Sequence, residues 1–125
     1  MAYLLAALGG ALGALARWGV ATALPHSAGG WPWATLLVNL TGCLAFGALT
    51  AVLTARSPEP PWARPFLAVG VLGGYTTYSA FAVETIELVD AGEPILAAGY
   101  VLVSVVGGVL AVACGALAVR AACVR

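Results

Sequence analysis

The chain reads Gly70-Val71-Leu72-Gly73-Gly74-Tyr75-Thr76-Thr77-Tyr78-Ser79-Ala80-Phe81 in the middle of its third apolar block, which runs from about 66 to 88. Two adjacent glycines, two threonines and a serine weaken a helix and offer spare hydrogen-bonding groups. Membrane helices are interrupted in this way where unwound carbonyls coordinate a cation or half-helix ends face a ligand. The stretch therefore predicts a third helix that is broken near residues 73–77. The alternative is a continuous, packed helix whose hydroxyls bond to their own backbone.

The composition places this block in a membrane protein. The chain has 125 residues, of which 62% are hydrophobic and 8% charged, whereas roughly a quarter of the residues of soluble domains are charged. A helix needs about 20 apolar residues to cross the bilayer, so the length allows four spans. Pro, Gly and charged residues divide the chain into apolar blocks at about 3–24, 33–54, 66–88 and 95–119. We therefore expect an all-α membrane protein, with residues 1–125 forming one four-helix membrane domain.

The same composition excludes several functional classes. Five basic residues, all arginine, balance five acidic residues, so there is no basic patch for nucleic acid. The cysteines lack C-x-x-C spacing, and we expect them to be small buried apolar residues. A single histidine, His26, cannot support a Ser/His/Asp set or a cluster of metal ligands, so we do not expect an enzyme.

The arginines are distributed unevenly about the predicted spans. With a cytoplasmic N-terminus, one side of the membrane carries four of them and the other side none. The four are Arg56, Arg64, Arg120 and Arg125. The positive-inside rule then predicts a multi-pass protein of the cell membrane with both termini in the cytoplasm.

Arg17 and Asn39 lie inside apolar blocks. A charged or polar side chain there costs free energy unless it has a hydrogen-bond or ion-pair partner, and it is often functional. Arg17 either reaches an interface or neighbouring carbonyls, or it attracts an anion. Asn39 either joins two helices through hydrogen bonds, or it lines a polar passage with its two amide hydrogens.

Two further pairs of residues share helix faces. Tyr78 and Phe81 are spaced i, i+3 in the third block, and Tyr100 and Ser104 are spaced i, i+4 in the fourth, with Gly108 next on that face. Each pair lies either in a packing seam or beside a conduit, and periodicity does not separate these interpretations.

Three motifs resemble the CrcB/Fluc family of fluoride channels, which are small four-helix membrane proteins that relieve fluoride toxicity in microorganisms. The motifs are residues 9–17, 34–42 and 73–81, and they occur in the same order as in the family. The resemblance implies an antiparallel dimer in the membrane lipid, with two fluoride pores along the subunit interface. It also implies a structural sodium ion at the dimer centre, which is not transported and is held by the main-chain carbonyls of Gly73 and Thr76 from each subunit.

The resemblance also assigns residues to the fluoride pore. The family's asparagine, its paired phenylalanines and its polar track on the fourth span correspond to Asn39, Tyr78, Phe81, Tyr100 and Ser104. A third hydroxyl of the track is missing, because Gly108 stands there. Arg17 would add favourable potential for an anion near the vestibule. The hydroxyl of Tyr78, where the family has Phe, either donates to fluoride or narrows the path.

The residues leave two questions undecided: whether the second subunit is this chain or a homologue, and whether the chain has one of two other functions. The family includes homodimers that insert in both orientations, whereas the arginine bias favours one orientation and so a second, oppositely oriented homologue. A small multidrug exporter would need a carboxylate in the first span, where this chain has none. A non-transporting assembly protein would also have Gly-rich helices, but Asn39 and the broken third helix would lack a purpose.

Overall fold

The computed structural model describes residues 1–27, 29–56 and 58–123, and every regular element in these residues is helical. The helices are α1 (Ala2–Ala23), α2 (Trp33–Thr54), α3 (Arg64–Leu72), α4 (Ser79–Asp90) and α5 (Pro94–Cys123), and a short α-helical turn, Gly73–Tyr75, continues α3. Four segments are long and apolar enough to span a membrane, the third of them being Arg64–Asp90. The prediction of an all-α protein with four membrane-spanning segments is confirmed.

Glycine and proline mark the turns between these helices. After α1 the chain turns at Gly29, and after α4 it turns at Gly92; both have positive φ, of 76° and 82° respectively, a conformation that costs glycine little. Pro32 precedes the first residue of α2, and Pro94 is the first residue of α5. Proline is favoured at a helix start because its missing N–H would have no partner there.

Helix α1 packs against α3 with almost no side chains between them. A Cβ atom on Gly9 would meet the carbonyl oxygen of Phe66, and one on Gly74 would meet that of Gly10. This close approach explains the small residues of both segments. Helix α3 itself is wound as a π-helix, a rare form that is frequent at functional sites.

Helix α2 packs against α5 in the same manner. A Cβ atom on Gly47 would meet the carbonyl oxygen of Val112, and one on Gly115 would meet that of Leu44. By contrast, a Cβ atom on Gly19 would meet nothing within 4 Å. Glycine therefore marks the two helix seams, while Gly19 has no packing role within the single chain.

The core of the single chain is small. It consists of Leu36, Leu88, Ala97 and Tyr100, and therefore joins α2, α4 and α5. Most large apolar side chains point outward, as lipid-facing or subunit-facing surfaces do. The expected burial of the cysteines is wrong for Cys114 and Cys123, which are exposed on α5, because that long helix turns most of its apolar surface outward.

Candidate functional site

The third span is interrupted between Tyr75 and Ser79. Thr76 leaves the helix with an extended backbone (φ −74°, ψ 156°), and α4 begins at Ser79. The Thr76 amide and hydroxyl both donate to the Leu72 carbonyl, each at 2.9 Å. The predicted break is confirmed, and it lies at the C-terminal end of the predicted region.

Asn39 of α2 holds this break through its side-chain amide. Its Nδ2 donates to the Thr77 carbonyl oxygen at 2.8 Å, and the Thr77 amide donates to Asn39 Oδ1 at 2.8 Å. The amide of Asn39 thus replaces the helical partners that Thr77 lacks. One Nδ2 hydrogen is used in this pair, and the other has no acceptor among the described residues, so Asn39 both joins two segments and keeps a free donor.

The break leaves the main-chain carbonyls of residues 73–76, those of Gly73 and Thr76 among them, without hydrogen-bond donors among the residues the structure describes. In a continuous helix the Thr77 amide would bond to the Gly73 carbonyl, but it donates to Asn39 instead. Likewise the Ala80 amide, which would bond to the Thr76 carbonyl, donates to Thr77 Oγ1 at 3.2 Å. Unpaired carbonyls inside a membrane are costly, and oxygen atoms of this kind are the ligands that hard cations prefer.

A cavity of about 450 Å³ lies against the break and is formed by α2, the third span and α5. Its lining includes the sequence-predicted residues Asn39, Gly73, Thr76, Tyr78, Phe81 and Ser104. The Tyr78 and Phe81 rings lie 5.9 Å apart between centroids. The hydroxyl oxygen of Ser104 is buried and has no partner among the described residues. We call this space the track cavity.

Tyr100 does not line the track cavity. It is fully buried against Phe81, with ring centroids 5.3 Å apart, and it packs nearly perpendicular to Trp31 at 5.8 Å. Its hydroxyl donates to Glu84 Oε2 at 2.7 Å. The structure therefore separates Tyr100 from Asn39 and Ser104, and its role in a pore stays a prediction.

Glu84 of α4 is a partly buried acid that was not among the residues predicted for the site. Its carboxylate accepts hydrogen bonds from Thr35 at 2.6 Å and from Tyr100 at 2.7 Å. The group therefore joins α2, α4 and α5. Glu84 lies three residues after Phe81, the last residue of the motif at 73–81, and an acid at that depth in an apolar block is the signal that could have identified it.

A second cavity of about 320 Å³ lies on the other side of the break. Arg17 lines it together with Trp18, Thr35, Thr77 and Glu84. No ion pair to Arg17 occurs within residues 1–27, 29–56 and 58–123, where the only one joins Arg64 to Glu59. Thr77 borders both cavities, so the Asn39–Thr77 contact stands between them. We call this second space the arginine cavity.

Four membrane spans, a broken third helix and cavities with a few polar groups on both sides of the break are typical of multi-pass proteins that move small solutes across membranes. Comparison with known families gives the particular family. The family described as "CrcB-like protein, Camphor Resistance (CrcB)" matches residues 4–116. The chain belongs to the CrcB family.

Individual relatives agree with this assignment over nearly the whole chain. A protein of Paracoccus denitrificans is 49% identical over 90% of this chain and 90% of its own length. One of Hyphomonas neptunium is 47% identical, over 90% and 91% respectively, and one of Bordetella petrii is 44% identical, over 90% and 87%. All three are named "Fluoride-specific ion channel FluC".

Proposed function

We propose that this chain forms a fluoride-selective passive channel, rather than an enzyme, and that it exports fluoride from the cytoplasm and so reduces its toxicity. The names of its relatives support this function. The observation that carries it is the track cavity, where the free amide hydrogen of Asn39 and the unpartnered hydroxyl of Ser104 line one space. Both groups can donate a hydrogen bond to an anion.

The chemistry of the track cavity suits fluoride. Fluoride is a small anion that holds water strongly, so a pore must replace that water with other donors. The amide of Asn39 and the hydroxyl of Ser104 are such donors, and the ring edges of Phe81 and Tyr78 carry partial positive charge. The cavity wall is otherwise apolar, which makes each donor more important than it would be in water.

We propose that the anion path joins the two cavities. Arg17 forms no ion pair among the described residues. Glu84 lines the same cavity, but its carboxylate is bonded to Thr35 and Tyr100, so the charge of Arg17 would attract anions to the arginine cavity. From there an anion would pass the Asn39–Thr77 contact and enter the track cavity. Thr77 lines both cavities, and Asn39, which is bonded to it, lines the track cavity, so the route would pass beside their contact.

We propose that a second subunit completes the path. Tyr78 lines the track cavity and yet is 80% exposed, and Val105 of the same lining is 57% exposed. The cavity is therefore open along the side of a single chain. An antiparallel second subunit would close it, and lipid would cover the remaining apolar surface.

The partner subunit is either this chain itself or an oppositely oriented homologue, and the charge distribution favours the homologue. Arg56, Arg64 and Arg120 lie on one side in a chain with four antiparallel spans, and Arg125 lies outside the described residues. The positive-inside rule favours a single insertion, with both termini in the cytoplasm of the cell. A partner of opposite charge bias would supply the antiparallel copy.

We also propose that a sodium ion is bound where the broken helices of the two subunits meet. The carbonyls of Gly73 and Thr76 fit this role because neither receives a hydrogen bond from a described residue. A hard cation would stabilise these oxygens and offset their mutual repulsion. The ion is structural in this proposal and is not transported.

Ion efflux from proteoliposomes tests the proposed function. The chain is reconstituted alone and together with an oppositely oriented homologue, and the release of fluoride and of chloride is followed with ion-selective electrodes. We expect fluoride release and no chloride release, with the larger rate for the mixed preparation. Equal release of both anions would contradict a selective channel, and release of neither would favour an assembly protein. Full activity of the chain alone would contradict the need for a homologue.

The substitution Tyr78→Phe should leave fluoride efflux intact. The Tyr78 hydroxyl has no hydrogen-bond partner among the described residues, whereas the ring packs 5.9 Å from Phe81, and the substitution keeps the ring. The initial rate of fluoride efflux from proteoliposomes measures the effect. A loss of efflux would show that the hydroxyl itself donates to the anion.

A further inference from the structure

The polar face of α5 has a gap at Gly108. Ser104 offers a hydroxyl to the track cavity, but one helical turn later Gly108 offers no side chain. On the facing helix, Asn39 is followed one turn later by Cys43, which lines the same cavity. The two helices thus present an amide and a hydroxyl at one level, and a thiol and a glycine at the next.

The thiol of Cys43 occupies the space in front of Gly108. A Cβ atom on Gly108 would lie 3.5 Å from Cys43 Sγ, and this is its nearest heavy atom. That distance is ordinary van der Waals contact, so a methyl group would just fit and a hydroxyl beyond it would have to compete with the sulfur. The missing side chain at Gly108 and the thiol at Cys43 are therefore complementary.

The neighbouring hydroxyl indicates that this part of the cavity takes a polar ligand. Ser104 Oγ is buried, lines the cavity and has no partner among the described residues. A buried hydroxyl without a partner is uncommon and usually faces an ion or a water. Cys43 and Ser104 line the same cavity, about one helical turn apart, so a ligand bound at Ser104 would lie near the sulfur.

We propose that Cys43 lines the anion path beside Gly108 and supplies the donor that α5 lacks there, which makes it a specificity-determining residue open to small thiol reagents. The inference rests on the proposed channel function. A thiol donates weakly and is larger than a hydroxyl. Cys43 therefore both narrows this part of the path and leaves it with a weaker donor than a serine would.

The chain provides its own controls, because Cys114 and Cys123 lie on exposed faces of α5 and neither lines the track cavity. A variant with Cys114→Ser and Cys123→Ser keeps Cys43 as its only thiol. In a second variant Cys43→Ser is added, which replaces the thiol with a hydroxyl of nearly the same shape. The two variants differ in a single atom.

Methyl methanethiosulfonate is the probe. The Cys43 thiol gives its proton to the buffer, and the thiolate attacks the divalent sulfur of the reagent. The bond from that sulfur to the sulfonyl sulfur breaks, methanesulfinate leaves, and a methyl disulfide forms on Cys43. We expect one adduct by intact mass in the first variant, and a fall of about tenfold or more in the initial rate of fluoride efflux, because the added group narrows the path. Dithiothreitol should restore the rate. The Cys43→Ser variant should conduct and should not respond.

Fluoride itself provides an independent readout. If Cys43 lines the anion path, fluoride in the buffer should slow the formation of the adduct relative to sulfate of equal ionic strength. Unchanged efflux after complete labelling, or no labelling of the folded protein when the denatured protein is labelled, would overturn the proposal. If untreated protein releases no fluoride, the channel function fails instead, and labelling with and without fluoride still decides whether Cys43 faces an anion site.

Discussion

Replacement of Asn39 by leucine should reduce fluoride efflux about a hundredfold or more, which corresponds to about 2.7 kcal/mol. Leucine has nearly the same shape, but it removes both hydrogen bonds to Thr77, each 2.8 Å long. The amide and carbonyl of Thr77 are then left unpaired at about 1–3 kcal/mol each. The unpaired amide hydrogen of Asn39, which lines the track cavity, is lost as well. The initial rate of fluoride efflux from proteoliposomes measures the combined effect.

A second substitution tests the charge that the path accepts at Asn39. In Asn39→Asp one carboxylate oxygen can still accept from the Thr77 amide, but the other replaces the donor to the Thr77 carbonyl, and the negative charge repels an anion. We expect a loss of efflux at least as large as that of Asn39→Leu, together with a loss of stability, because a charged side chain in a membrane span is costly. Thr50→Val is the matched control, because the Thr50 hydroxyl bonds only to Phe46 of its own helix at 2.8 Å. Normal fluoride efflux in Asn39→Asp would contradict a place in the path.

Replacement of Glu84 by alanine should destabilise the folded chain by about 3 kcal/mol or more, since a charged group then no longer accepts two hydrogen bonds. Tyr100 is fully buried, so its hydroxyl cannot turn to water when the carboxylate is lost, and the Thr35 hydroxyl loses its bond as well. We expect a lower midpoint of thermal unfolding, measured in detergent by size-exclusion chromatography after heating to increasing temperatures. We also expect a loss of fluoride efflux, because α4 is no longer held to α2 and α5.

Two further variants make this result specific. Glu84→Gln keeps the shape but offers one acceptor oxygen in place of two, so its effect should fall between those of the native chain and Glu84→Ala. Glu87→Ala is the control, because Glu87 is exposed on the same helix. Equal unfolding midpoints for Glu84→Ala and Glu87→Ala would show that the Thr35–Glu84–Tyr100 contacts contribute little.

Much of the fold could be predicted because its signals are local. Four apolar blocks predicted four spans, and the glycines and hydroxyls of residues 70–81 predicted the break that the structure has between Tyr75 and Ser79. The family resemblance likewise rested on short motifs within single spans. Hydropathy and helix weakness depend on residues that are neighbours in the sequence, so they can be judged without knowing how the helices pack.

The partners of the polar groups were much harder to predict. Asn39 bonds to Thr77, and Thr35 bonds to Glu84, and each pair is far apart in the sequence. Tyr100 and Ser104 share a helix face, yet Tyr100 is buried against Glu84 while Ser104 lines the track cavity. A spacing of four residues places two side chains on one side of a helix, but the neighbouring helices decide what each one meets.

The sequence by itself determined a four-span membrane protein of the CrcB type with an interrupted third helix, because a chain of this hydropathy must satisfy its backbone inside helices. Only the tertiary structure decided that α1 packs on α3 and α2 on α5 through glycine seams, and that Asn39 replaces the lost helical partners of Thr77. The tertiary structure alone also shows that the Cys43 sulfur lies beside Gly108. The physical reason is that close packing and hydrogen bonding between helices depend on distances of a few ångströms, which are set by the assembled helices together.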